Sequence, residues 1–158
     1  MALTRIGGKA LPSGSVIQTT QSIYTTHNPI TSTSYVDTGV SGSITPRLAD
    51  SKVLVRCAVQ IGCSHANGNE VYIRMMRGST EIETYERPVH MFDGGSPFGN
   101  PHMDSTVIFE FLDSPATTSS TTYKLQAKVL FGGRIRINDY AANATGSASM
   151  VTLQEITA

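Results

Sequence analysis

The chain has 158 residues and a mass of 16.9 kDa, room for one domain that needs no disulfide staple. Twelve Lys+Arg balance twelve Asp+Glu, and zero net charge excludes a large sequence-independent nucleic-acid footprint. Charged residues make up 15%, against about 25% in an ordinary domain, while Ser and Thr together number 36; hydroxyls carry the polarity, which suits strands better than helices.

Residues 1–14 read as an arm, with Leu3, Ile6 and Leu11 as its candidate docking side chains. Arg5 and Lys9 interrupt the place where the apolar core of an export signal would lie, so none is expected. No apolar run approaches the ~20 residues of a membrane span. Residues 15–158 read as a single β-domain. Weak strands are expected at Val16–Thr20, Ser34–Thr38 and Ser43–Pro46. A half-buried strand runs from Lys52 to Ile61, with Val53, Val55, Cys57, Val59 and Ile61 on one face and Arg56 and Gln60 on the other. Val71, Ile73 and Met75 alternate with Tyr72, Arg74 and Met76.

Residues 83–105 read as a long loop rich in Gly, Pro, His and aromatics, and a loop of this length is usually functional. The next segment alternates Val107, Phe109 and Phe111 with Ile108, Glu110 and Leu112. Being apolar on both faces, it suggests a core on one side and a partner on the other. Tyr123 to Phe131 and Ile135 to Ile137 alternate again, and Gly132-Gly133 suggests a hairpin. A three-residue loop, Gly132 to Arg134, would set Phe131 opposite Ile135 and Val129 opposite Ile137, keeping apolar side chains together. Val151 and Leu153 mark a last strand. Many short strands and no capped helical pattern predict an antiparallel sandwich or barrel.

Cys57 and Cys63 lie six apart on one strand face, about 20 Å, beyond disulfide reach; two buried free thiols are expected. Asp37-Thr38-Gly39 matches the turn that carries an aspartic protease carboxylate. The helix-linked partner segment of such enzymes is missing, so a strand-end turn is expected instead. His90, Asp93, His102 and Asp104 share the long loop without the tight spacing of a zinc motif. Glu81, Glu83 and Glu86 read as a solvated loop edge. Lys124, Lys128, Arg134 and Arg136 are expected to share one outward hairpin face. No phosphate loop or dinucleotide fingerprint occurs. The expectation is no enzyme, no cofactor and no metal.

The blocks GKALPSGSVIQ, TSTSYVDTGVSGSITP, SKVLVRC, IRMMRGSTEI, FLDSPATTSSTTYKLQ and SMVTLQEI stand in collinear order. Together they resemble a family of bacteriophage virion structural proteins, common in marine and freshwater phages, that serve as tail-fibre or head-decoration modules. The stretch from Leu112 to Tyr123 is the most specific, and the similarity runs from about Gly8 to Ile156. The resemblance implies a jelly-roll sandwich like that of tumour necrosis factor, assembled as a homotrimer, with Asp37-Thr38-Gly39 in a strand. It implies location in the virion, on tail or capsid surface, after synthesis in the bacterial cytoplasm. The expected function is host-surface recognition and attachment by a fibre tip docked through residues 1–14; the alternative is a capsid decoration protein that stabilises the phage head. Expected partners are further copies of the chain, other virion proteins and a host cell-surface glycan, with no nucleic acid and no membrane insertion. The expected trimer contact is Ile108 and Leu112, with Tyr72 and Met76. The expected contact loop offers Tyr85, His90, Phe92, Phe98 and His102 to a receptor or a neighbour, because exposed aromatics give stacking surface.

Overall fold

The computed structural model describes residues 11–64, 69–91, 102–130, 133–138 and 147–158, the side chains at 64, 69, 90, 91, 102 and 103 excepted. Ten strands appear in chain order: β1 (Val16–Tyr24), β2 (Asn28–Ile30), β3 (Val36–Ile44), β4 (Lys52–Ser64), β5 (Asn69–Arg77), β6 (Thr80–Met91), β7 (His102–Asp113), β8 (Thr121–Val129), β9 (Arg134–Ile137) and β10 (Ser149–Ile156). No helix occurs among the described residues. All pairings are antiparallel.

Two sheets face each other. In the six-stranded sheet, β1, β10, β4 and β7 lie side by side, and β9 with β2 joins the far half of β4. The four-stranded sheet has the order β3-β8-β5-β6. Most successive strands thus jump between sheets, β1–β2, β5–β6 and β9–β10 excepted, the connectivity of a jelly-roll-like sandwich. The all-β, antiparallel expectation holds.

The core follows from the period of two. Val53, Val55, Cys57, Val59 and Ile61 of β4 point inward, as do Val71, Ile73 and Met75 of β5 and Tyr123, Leu125, Ala127 and Val129 of β8. Cys57 and Cys63 are buried free thiols, and burial pushes them up to about 12 and about 11. One end of the sandwich is locked by two buried carboxylates, Asp113 and Glu155, which both stand in register with Val53 of β4. Asp113, ending β7, accepts from Arg77 Nη1 at 2.8 and 2.9 Å and from the Tyr123 hydroxyl at 2.7 Å, so one side chain joins both sheets. Glu155 accepts from the backbone N–H of Arg47 (2.8 Å) and Leu48 (3.0 Å), from Ser51 Oγ (2.6 Å) and from Gln18 Nε2. Burial alone would raise this carboxyl; the hydrogen bonds outweigh it and hold it below its ordinary value.

Several expectations need correction. Residues 83–105 are not one loop: β6 and β7 occupy most of the span. The Gly132-Gly133 hairpin does not form, because β8 pairs with β3 and β5 in one sheet while β9 pairs with β4 and β2 in the other. The chain crosses between sheets there, so both strands face the core without facing each other in a ladder. The two weak strands around Asp37-Thr38-Gly39 are one strand, β3, broken by a bulge. Gly39 sits at φ +88°, and a Cβ there would collide with the Tyr24 ring. Only glycine lets Tyr24 close over this edge of the sandwich.

Candidate functional site

The outward side chains of β1, β10, β4 and β7 line up in rows, two residues or about 7 Å apart. One row reads Ile23, Met150, Ala58, Ile108 across the four strands. The next reads Gln21, Thr152, Arg56, Glu110, and the third Thr19, Gln154, Leu54, Leu112. Ile23 (64%), Ile108 (55%), Leu112 (47%) and Met150 (38%) are large apolar side chains left open. A fourth row holds Gln60 and Thr106, whose side chains hydrogen-bond.

Relief on this face comes from side-chain size. Ala58 is small and its row-mates are long, which leaves a depression of about 230 Å³ bordered by Arg56, Ile108, Met150 and Thr152. A second, about 140 Å³, continues along β4 over Leu54, between Glu110 and Gln154. Arg56 and Thr152 border both, so the two make one shallow groove along β4. Between the rows of Ile108 and Leu112, Arg56 Nε stands 3.6 Å from Glu110 Oε2, with both side chains more than half exposed. Such a pair contributes little in water, about 0–1 kcal/mol.

The outer face of the four-stranded sheet is different in kind. Asp37 accepts from Lys124 Nζ (2.9 Å) and Gln126 Nε2 (2.6 Å), and the Gln126 bond, then the Lys124 bond, draw its carboxyl below the ordinary value. Arg74 donates to Gln126 (2.9 Å) and to Glu81 (2.7 Å), while its guanidinium lies 4.3 Å from the Tyr35 ring centroid. Lys128 Nζ stands 4.7 Å from the Tyr35 ring and 5.1 Å from Tyr72. Tyr72 donates to Glu70, which also pairs with Arg87. An ionised, doubly bonded Asp37 is fitted to hold this surface together rather than to share a proton with a second carboxylate.

The expected trimer contact is therefore split. Ile108 and Leu112 lie on the outer face of the six-stranded sheet, as expected. Tyr72 and Met76 do not join them: they face outward from β5 in the other sheet, on the opposite side of the sandwich, and Met76 is buried. Alternation within a strand gives parity but not which sheet the strand enters. Ile23, Met150 and Ala58, unremarked in the sequence, complete the apolar row. The basic quartet is split for the same reason, Lys124 and Lys128 on β8 and Arg134 and Arg136 on β9.

Tyr85 is not an exposed receptor aromatic. Its ring packs on Phe109 with centroids 4.7 Å apart, and its hydroxyl donates to the Glu110 carbonyl at 3.2 Å, closing β6 over β7. Burial pushes that hydroxyl up to about 12. His90 and His102 belong to β6 and β7, but their side chains, like Phe92, Asp93 and Phe98, lie outside the described residues. Among the described residues, no three His, Cys, Asp or Glu side chains cluster to hold a metal ion. In the candidate arm, Leu3 and Ile6 lie outside the described residues. Leu11 precedes a segment tied to the other end of the chain, where Gly14 N–H donates to the Thr157 carbonyl and the Thr157 hydroxyl to that of Pro12.

No family model matches the sequence, and no curated protein is significantly similar to it. Among solved structures, the chain is similar to dimeric latent PorU from Porphyromonas gingivalis, at 9% identity and TM-score 0.37, over 92% of this chain and 14% of that one. It is similar to infectious bursal disease virus VP2 in a subviral particle, at 11% identity and TM-score 0.36, over 98% of this chain and 41% of that one. The same virus's T=1 particle protein gives 10% identity and TM-score 0.38, over 99% and 40%. The chain spans less than half the length of each of these proteins.

Proposed function

We propose that this chain is a non-enzymatic phage virion surface module that assembles as a homotrimer, in the manner of tumour necrosis factor-like jelly rolls. In this reading the outer face of the six-stranded sheet is the assembly face, and the four-stranded sheet faces solvent and host. The virion assignment rests on the collinear sequence resemblance. The observation that carries the assembly is the asymmetry of the two outer faces. One leaves four large apolar side chains open; the other spends its charged and aromatic groups on each other. Contiguous exposed apolar surface on a small domain marks an interaction site.

A trimer multiplies weak contacts, which suits attachment to repeated cell-surface glycans. Decoration of the head is the second use of the same trimer, with residues 1–14 gripping the capsid from a point that Thr157 fixes. Two measurements test the proposal. Sedimentation of the full chain should give a trimer that Ile108→Asn with Leu112→Asn converts to monomer; a wild-type monomer at every concentration overturns it. Immunolabelled particles should carry the chain on tail fibres; label spread over the head selects decoration, and unlabelled particles refute a virion role.

A further inference from the structure

We infer that the groove along β4 is a socket for a second copy of this chain, which seats an apolar side chain over Ala58 and exchanges charges with Arg56 and Glu110. This rests on the proposed assembly and names the contact that sets its register. Three observations point to a copy rather than to another partner. The first is charge. The middle row carries one cation and one anion, Arg56 and Glu110, so around a ring of copies the Glu110 of each chain can meet the Arg56 of the next. Complementary charge of this kind fixes register more than it adds affinity.

The second observation is shape. The same face carries the depression over Ala58 and the protruding side chains that could fill one, Ile108 and Met150 at its rim and Ile23 in the same row. Knob and hole on one surface let a knob of each copy fill the hole of the next around a closed ring.

The third is the state of the pair within one chain. A single 3.6 Å approach with both groups more than half exposed leaves the ions largely hydrated. It can re-pair across an interface without breaking a well-made internal bond, unlike Asp37 with Lys124 on the other face, whose contact is 2.9 Å and shared with Gln126.

The experiment uses the full chain and reads assembly by sedimentation over a concentration series. Ala58→Trp fills the depression from an outward, solvent-facing position. Its melting temperature should match that of wild type and Ala58→Ser, while its dissociation midpoint rises about tenfold or more. Arg56→Glu makes the row doubly acidic and Glu110→Arg makes it doubly basic, so each alone should assemble at least about tenfold more weakly. Mixing the two, under different affinity tags, should recover assemblies carrying both tags. A pair confined to one chain cannot be restored by mixing, so this arm also decides the matter if Ala58→Trp fails to fold. Wild-type-like assembly of Ala58→Trp, or of both charge variants with no preference for each other, overturns the socket while leaving the assembly face intact. A monomeric wild type overturns both.

Discussion

The two outer faces of the sandwich are built from the same strand alternation, yet they solve opposite problems. On the four-stranded sheet, Asp37, Gln126, Arg74, Glu81 and Thr84 form a chain of side-chain hydrogen bonds across all four strands. Lys128 fills the space beside two tyrosine rings. On the six-stranded sheet, the Arg56–Glu110 row is loosely paired and stands between Ile108 on one side and Leu112 on the other. The difference teaches that one face spends its polar groups on each other within the chain, while the other keeps them available, as the proposed assembly requires. Both faces sit on one core, so changes outside should alter association without altering the fold.

The largest effect is expected where the faces are held together. Asp113→Ala leaves Arg77 and the buried Tyr123 hydroxyl without their shared acceptor, and chemical denaturation should show a loss of about 3 kcal/mol. A change much below 1 kcal/mol would mean that the two sheets do not depend on this lock.

Acid should act at the same end, through the second carboxylate. Glu155 is held below its ordinary value of 4.5, so its stabilisation is present above that pH and is lost as pH falls through the lowered value. Melting temperature should drop more steeply below pH 4 for wild type than for Glu155→Gln, which starts lower at neutral pH. Parallel pH profiles would show that another carboxylate carries the acid sensitivity.

The surface variants sharpen the comparison directly. Leu112→Thr on the assembly face should weaken association about tenfold with little change in melting temperature. Lys124→Ala, on the finished face, should cost about 0.2–1 kcal/mol of stability and leave association untouched. The reverse pattern would exchange the roles of the two faces. The smallest effect is expected at Ala116, whose φ is +51° in the turn between β7 and β8. Ala116→Gly relieves that strain, by about 1 kcal/mol at most, against the added flexibility of the unfolded chain.

The strands that line the core were legible in the sequence because they keep strict alternation, as Val53 to Ile61 and Tyr123 to Val129 do. The outward placement of Ile108 and Leu112 was legible too, because they alternate with the inward Val107, Phe109 and Phe111. β6 was not. It is an edge strand carrying Glu81, Glu83, Glu86 and Pro88, the residues that protect an edge from unwanted pairing. Its register with β5 is also broken: Tyr72 opposes Glu86 while Glu70 opposes His90, and Arg87 sits at φ +54°. Inward residues Tyr85 and Val89 keep one parity, but the charged Glu83 and Arg87 stand at the same parity and hide it. The assignment of strands to sheets was equally invisible, because parity along a strand is local and the crossing between β8 and β9 is set by long-range pairing. That one fact separated Tyr72 and Met76 from Ile108 and Leu112.

The bond between Gly14 and the carbonyl of Thr157 brings the start and finish of the sandwich within 2.9 Å. The folded path is therefore almost a closed ring. Joining residue 158 to residue 12 through a few glycines and reopening the ring between Thr118 and Ser119, both exposed, should yield a permuted chain with the same two sheets. For a protein whose opposite faces are built so differently, such re-entry would let a fused cargo be moved around the molecule without touching either surface.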